Sequence, residues 1–282
     1  MLAPLVARWC ARHQIHYAWV VMGVVFLTML ISAAALGLPG VFIPPLSHEF
    51  GWSTSQISAA LAVRFMLYGL LGPFAAILIE RFGLRRVVCS ALLMIALGLL
   101  LATQMGALWQ LFALWGVALG AGSGLIALVL GATVANRWFD RRRGLVLGLL
   151  TPSSATGQLL FLRPVALLMQ HQGWRVAVIP VVSGCFAVAL LGLALLRDRP
   201  QDLGLRPFGA DPRVPETPLP IWRPGFTEPL RVLRSVSGSA TFWVLLGTFF
   251  VCGLSTSGLI QTHLISLCGD YGMGPVPAAS VL

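Results

Sequence analysis

Long apolar blocks alternate with short arginine-rich stretches along this chain. A transmembrane helix needs about 20 apolar residues in succession, and seven blocks are of that order. They cover residues 17–41, 55–79, 87–104, 108–135, 144–169, 175–196 and 239–266. Blocks of this length fit membrane helices rather than the alternating strands of about ten residues that build a barrel. The pattern therefore predicts an all-α integral membrane protein.

The composition also indicates that lipid is the main solvent. Of the 282 residues, 57% are hydrophobic and 10% are charged, whereas soluble chains have roughly 25% charged residues. The net charge of +10 comes from arginines between apolar blocks, without the interleaved aromatic residues of a nucleic-acid-binding domain. The five cysteines lie too far apart for a zinc or redox motif. We therefore expect the lipid bilayer as a partner, and no nucleic acid, metal or other cofactor.

The arginines fall on alternate sides of the predicted spans. Sixteen of the 19 basic residues lie at the N-terminus or in the second, fourth and sixth loops, whereas the opposite loops hold or border only Arg175. The positive-inside rule then places the N-terminus and the even loops in the cytoplasm. We expect a multi-pass protein of the plasma membrane, in a bacterium the inner membrane.

Three segments follow from this pattern. Residues 1–196 form a six-helix transmembrane bundle, and residues 197–238, rich in Pro, Arg and acidic residues with little helical periodicity, form a cytoplasmic linker. Residues 239–282 begin a second bundle, with span seven and an eighth apolar run from Ala278. We therefore expect further C-terminal helices or a partner bundle to complete the fold.

A conformational motif lies between spans two and three. It begins at Ala76 and contains Glu80, Arg81, Gly83, Leu84, Arg85 and Arg86. This run resembles the signature of the major facilitator superfamily, Gly-x-x-x-Asp-Arg/Lys-x-Gly-Arg-Arg/Lys, with Ala for the first Gly, Glu for Asp and Leu for the first base after the second Gly. The acid can pair across a helix boundary, and Gly83 permits a tight turn. The alternative is an ordinary cytoplasmic hairpin that obeys the positive-inside rule.

Three other loops narrow the resemblance to one branch. They are 49–53 (Glu-Phe-Gly-Trp-Ser), 136–144 (Asn-Arg-Trp-Phe-Asp-Arg-Arg-Arg-Gly) and 199–205 (Arg-Pro-Gln-Asp-Leu-Gly-Leu). They look like the monocarboxylate transporter and oxalate:formate antiporter branch. The resemblance implies two six-helix halves that rock around a central site, of which this chain is similar to the first half, the linker and span seven. The glycines at 120–124 lie inside an apolar run without a preceding strand, so we expect them to pack helices rather than cradle a phosphate.

Charged side chains inside spans are the main candidates for a solute site, because each costs roughly 2.5–3.5 kcal/mol to insert at mid-helix. Arg64 lies about 13 Å from the outer start of span two at 1.5 Å per residue. Tyr68 follows one turn later on the same face, so the pair could offer a carboxylate a charge and a donor. The alternative is that Arg64 pairs with an acid or a carbonyl.

Spans five and seven supply weaker candidates. Arg163 either binds the solute or snorkels to the nearby interface. Gln158 shares a face with Ser154 and Thr151, which either line a cavity or satisfy the backbone near Pro152. In span seven, Gln261 adds a polar group. His263 resembles a histidine of bacterial relatives, and either couples protons or forms an interfacial hydrogen bond.

No constellation of acids, His–Glu pairs or activated serines predicts an enzyme. The sequence therefore predicts secondary active transport of a small solute by alternating access. A small organic anion such as a mono- or dicarboxylate is the expected substrate, with protons as a candidate coupling ion. The alternative is a truncated or auxiliary membrane subunit that does not transport by itself.

Overall fold

The computed structural model describes residues 2–211, 225, 227–272 and 277–278. The expected eighth span lies almost wholly outside these residues. Seven helical segments are long and apolar enough to cross a membrane: Ala18–Phe50, Thr54–Phe82, Leu84–Ala102, Leu108–Trp138, Arg143–Gln172, Trp174–Leu195 and Ala240–Asp270. They are called spans one to seven. The described residues contain no named strand, and the only β-type pairing among them is an isolated bridge from Phe139 to Phe208. The prediction of an all-α membrane bundle with seven spans is confirmed.

Span one continues past its predicted end. It was expected to stop near residue 41 but runs to Phe50, so most of the predicted first outer loop is helical. Pro39, Pro44 and Pro45 lie inside it, and membrane helices tolerate such residues because neighbouring helices satisfy the freed backbone groups. Gly51 ends the helix in the left-handed region, with φ 67°.

Two shorter helices on the predicted cytoplasmic side were not anticipated. Leu2–Arg12 forms a helix before span one, and Glu228–Val236 forms one before span seven. The second corrects the prediction that the linker has little helical order. Its apolar and polar residues alternate with the period of a helix, but nine residues are too few to stand out in a segment rich in proline and arginine.

Close glycine contacts hold spans two and four together. An added Cβ at Gly120 would lie 2.9 Å from the Arg64 carbonyl oxygen, and one at Gly124 would lie 3.0 Å from that of Tyr68. Glycine permits this approach because it lacks a side chain. The expected packing role of the glycines at 120–124 is confirmed. Part of span four, Phe112–Leu119, is a π-helix.

The spans differ in how much of their surface the described residues cover. We compared the share of buried residues in the most apolar stretch of each span. This share is 56% in span one, 56% in span three, 53% in span four and 44% in span six. The figures are 22% for span two, 28% for span five and 0% for span seven. Spans one, three, four and six therefore form the packed part of the bundle.

Candidate functional site

A cavity of about 370 Å³ opens between spans one, five and seven. Its polar lining comes from Thr151, Ser154 and Gln158 of span five and Gln261 of span seven, and Gly37 of span one forms part of the wall. This volume lies in the range of small-molecule sites. The predicted face of Thr151, Ser154 and Gln158 does line a cavity.

Small residues of spans one and five shape this cavity. An added Cβ at Gly37 would lie 3.4 Å from the Gln158 side chain, and one at Gly40 would lie 2.5 Å from the Gln261 carbonyl oxygen. An added Cβ at Gly157 would lie 2.1 Å from the carbonyl oxygen of Leu30. The three glycines thus bring the spans close enough for the two glutamines to border one space.

A smaller cavity of about 40 Å³ adjoins the first. Its polar lining consists of Ser32, Tyr68, Ser123 and Ser154, so Ser154 belongs to both cavities. Sequence reasoning selected Tyr68 but missed Ser32 and Ser123, because a lone serine in an apolar helix commonly bonds its own backbone. Ser123 does so, donating to the carbonyl of Leu119 at 2.5 Å.

The cavity side chains differ in their available hydrogen-bond donors. Thr151 donates to the carbonyl of Leu147 at 2.8 Å, and Ser154 donates to that of Thr151 at 3.3 Å. Among the described residues, no side-chain hydrogen bond involves Tyr68, Gln158 or Gln261. One phenol and two amides therefore keep their donors for a ligand.

Arg64 is a buried charge in the same span as Tyr68. Its side chain is 1% exposed, and its Nε and Nη1 atoms have no hydrogen-bond partner among the described residues. The guanidinium carbon lies 4.8 Å from the ring centroid of Phe65. Arg64 lines neither cavity, but it lies one turn from Tyr68, which does. The acid or carbonyl partner considered as the alternative is not present in the described part of the chain.

Two predicted site residues lie away from both cavities. Arg163 has an exposed side chain and lines neither space. His263 is half-buried and also lies outside both linings, although Gln261 two residues earlier lines the larger one. Gln158 and Gln261 thus border the larger cavity and Tyr68 the smaller one, and Ser154 is the residue that both linings share.

The conformational motif ties spans two, three and four to the segment after span six. Glu80 forms an ion pair with Arg137 of span four and lies 3.9 Å from the guanidinium of Arg199. The backbone N–H of Arg85 donates to the carboxylate of Asp198 at 3.0 Å. Glu80 therefore pairs across helix ends as predicted.

Gly83 explains why the turn of this motif lacks a side chain. Its φ is 91°, and an added Cβ would lie 2.4 Å from a carboxylate oxygen of Asp198. Position 83 therefore requires a glycine for two reasons: its φ is positive, and Asp198 leaves no room for a side chain. Arg81 lies 5.7 Å from the Phe82 ring centroid, and Arg86 is exposed. Asp198 was missed because it lies 115 positions along the chain from Gly83.

A second contact on the predicted cytoplasmic side docks the start of the predicted linker. The Nε2 atom of His16 lies 3.0 Å from the carbonyl oxygen of Arg206, and the N–H of Ala18 donates to His16 Nδ1 at 3.2 Å. Both bonds together require the neutral imidazole with its proton on Nε2. Burial lowers the pKa of His16, and the bond to the Arg206 backbone opposes this effect. Next to it, Tyr17 donates to the carbonyl of Leu195 at 2.7 Å, and burial raises the pKa of Tyr17 to about 12.

The isolated arginine of the predicted outer loops also has partners. Arg175 lies 2.6 Å from Glu49 at the outer end of span one, and its Nε donates to the carbonyl of Thr103 at 2.8 Å. Trp174 donates to the same carboxylate at 2.6 Å. The contacts join spans one, three and six at the ends that are predicted to face outward.

Comparison with known proteins gives matches along most of the chain. Residues 25–282 match the Major Facilitator Superfamily. Monocarboxylate transporter 4 of Rattus norvegicus is 32% identical over 213 residues, which cover 72% of this chain and 42% of the relative. Monocarboxylate transporter 11 of Mus musculus is 29% identical over 270 residues, which cover 94% of this chain and 55% of the relative. The chain thus spans about half the length of these relatives or less.

Proposed function

Because the chain belongs to the Major Facilitator Superfamily, we propose that it forms the first half of a secondary transporter for a small organic anion. The family and its transporter relatives also confirm the prediction that the chain is not an enzyme. The names of the relatives support a monocarboxylate as the substrate. Alternating access belongs to the same proposal, with the solute bound at the two cavities between spans one, two, four, five and seven.

The observation that carries the anion assignment is that the buried Nε and Nη1 atoms of Arg64 have no hydrogen-bond partner among the described residues. A buried charge without a partner is destabilising by several kcal/mol. Within the described residues its Nε and Nη1 atoms have no hydrogen bond, whereas Tyr68 on the next turn reaches the smaller cavity. A carboxylate beside Tyr68 would approach the guanidinium and compensate its charge. Gln158 and Gln261 would then orient the rest of the solute with their amide groups.

The test is equilibrium binding of radiolabelled lactate and pyruvate to the purified chain in nanodiscs, with uptake into proteoliposomes measured in parallel. Arg64→Gln should weaken binding by roughly 10- to 150-fold, because a hydrogen bond to a charged group contributes about 1.5–3 kcal/mol. Arg64→Lys should restore binding only in part, since an ammonium lacks the bidentate fork.

Arg163→Gln is the matched control, because it removes the same charge from an exposed site in a span. It should leave binding within about twofold of the wild type, as expected for a side chain outside both cavities. Unchanged binding in Arg64→Gln, with membrane insertion intact, would overturn the anion site. Equal losses in both variants would show a general charge effect instead.

A second candidate function follows from the exposed faces of spans two and five. Gly69 and Gly72 of span two, and Gly144 and Gly148 of span five, have open space where a side chain would begin. Such small residues suit close packing against further membrane helices. We therefore propose that another helical bundle covers these faces, supplied by C-terminal helices or by a partner polypeptide. Carboxylate binding without uptake would favour an auxiliary subunit, whereas uptake by the purified chain would exclude that role.

Proton coupling is proposed for His263. The residue is half-buried in span seven, close in sequence to the cavity residue Gln261. An imidazole ring can both accept and release a proton, which a coupling residue must do. His263→Gln should therefore remove the dependence of uptake on an imposed pH gradient while carboxylate binding remains. Uptake that still follows the pH gradient in this variant would exclude His263 as the coupling residue.

We also propose that the N-terminus and the face with the conformational motif lie in the cytoplasm. Arginines concentrate at the ends of the spans that carry the conformational motif, which supports a cytoplasmic location for that face and for the N-terminus. In a bacterium the membrane would be the inner membrane. A cytoplasm-specific reporter fused after Arg86 or Arg143 should be active, and one fused after Gly106 or Gly173 should be silent.

A further inference from the structure

The N-terminal helix Leu2–Arg12 has one face attached to the bundle and one face turned away from it. Ala3 and Cys10, seven residues apart, are fully buried, and the helix packs against span six. Only five residues separate its end from the start of span one. The helix is therefore held close to the membrane surface on the arginine-rich side.

The outward face combines apolar and basic side chains. Leu5 is 59% exposed and Trp9 is 55% exposed, and both Arg8 and Arg12 are exposed. These four residues are spaced by three and four positions, so they share one side of the helix. Among the described acidic side chains, none pairs with either arginine. Water suits the arginines but not the leucine and tryptophan, whereas the headgroup region of a bilayer suits both kinds of side chain.

We propose that this face binds the anionic phospholipid headgroups of the cytoplasmic leaflet. In the bound arrangement, Leu5 and Trp9 insert at the level of the acyl boundary while Arg8 and Arg12 contact phosphate oxygens. Trp is common at this depth because its ring is apolar and its N–H is polar. An arginine near an anionic surface strengthens binding about fivefold. The proposal rests on the proposed orientation and not on any transported solute.

The linker helix Glu228–Val236 has the same kind of surface. Leu230 and Leu233 are 58% and 48% exposed, and Arg231 and Arg234 lie on the polar side. This helix ends four residues before span seven begins. A second amphipathic helix beside a span supports an anionic membrane surface as the common partner of this side of the protein.

The experiment measures labelling of introduced cysteines by a membrane-impermeant maleimide. The chain carries Leu5→Cys or, as a matched control on another side of the helix, Ala11→Cys. Each is reconstituted at one copy per nanodisc, in phosphatidylcholine alone or with about one third phosphatidylglycerol. Tandem mass spectrometry locates the label and separates it from the native Cys10. One copy per disc excludes cover by a second copy of the chain.

In the anionic discs Leu5→Cys should label about tenfold more slowly than Ala11→Cys, and its protection should be weaker in phosphatidylcholine alone. Adding Arg8→Gln and Arg12→Gln should raise its labelling rate towards that of the control. Equal rates at the two cysteines would overturn the proposal. Protection that depends neither on phosphatidylglycerol nor on the arginines would also overturn it, because the linker or simple apolar insertion would then cover the face. None of these readouts involves a solute, so failure here leaves the transport proposal untouched.

Discussion

Replacing Gly157 with Ala should separate spans one and five. The added Cβ would lie 2.1 Å from the carbonyl oxygen and 2.8 Å from the carbonyl carbon of Leu30. Ordinary contacts of this kind begin near 3.4 Å, so the backbones must move apart by about 1.3 Å. Backbone atoms cannot rotate away as a flexible side chain can, and overpacking of this type typically costs about 1–3 kcal/mol. The neighbouring Gln158 would shift with the helix and change the wall of the larger cavity.

The assay is thermal unfolding in detergent, together with carboxylate binding in nanodiscs. We expect Gly157→Ala to lower the Tm by about 5 °C and to weaken binding. Gly148→Ala is the control in the same span, because nothing lies within 4 Å of its Cβ position. That change should raise stability slightly, since Ala is favoured over Gly in a helix by up to about 1 kcal/mol. Similar Tm values for the two variants would refute the close approach of spans one and five.

Two further predictions concern the face that carries the conformational motif. Burial lowers the pKa of His16 in the folded protein. The neutral imidazole therefore stabilises the docked linker fully at pH values above the unfolded pKa of about 6.5. This stabilisation is lost as the pH falls through the lower pKa of the folded protein. The hydrogen-exchange protection factors of the segment after span six should therefore fall at acidic pH in the wild type but not in His16→Gln. An equal fall in both would contradict the role of this residue. Glu80→Gln should lower the free energy of unfolding by about 1–2 kcal/mol, because its pair with Arg137 is largely shielded from solvent. Asp140→Asn breaks the pair with Arg143, which is about half-exposed, and should leave the free energy of unfolding almost unchanged. Equal losses in the two variants would contradict a larger contribution from the shielded pair.

The seven spans could be predicted because a bilayer imposes a length and a composition on any helix that crosses it. Their ends were less certain, as the extension of span one to Phe50 illustrates. Three prolines near its outer end suggest a loop by rules drawn from soluble proteins, but they remain helical here. The N-terminal helix was missed because its 11 residues are too few for a span and contain arginines typical of a loop.

The site was predictable only where residues share one helix. The common face of Thr151, Ser154 and Gln158 followed from helical spacing, and it lines the larger cavity. Contacts between distant segments did not follow, because no local pattern relates Asp198 to the turn at Gly83. The presence of Arg64 in an apolar span marked it as a candidate, but only the structure shows that its Nε and Nη1 lack partners among the described residues.

Span two carries both the proposed anion-binding pair and the acid of the conformational motif, Glu80. Arg64 and Glu80 are 16 positions apart, about 24 Å along a helix. Gly120 of span four lies against the backbone of Arg64. Arg137, at the end of span four, pairs with Glu80. Spans two and four are thus joined at both levels and resist sliding past each other, because a packed interface does not deform continuously. Any rocking that exposes the solute site to the other side of the membrane would therefore occur at the open faces of spans two and five, where glycines have space for a second bundle.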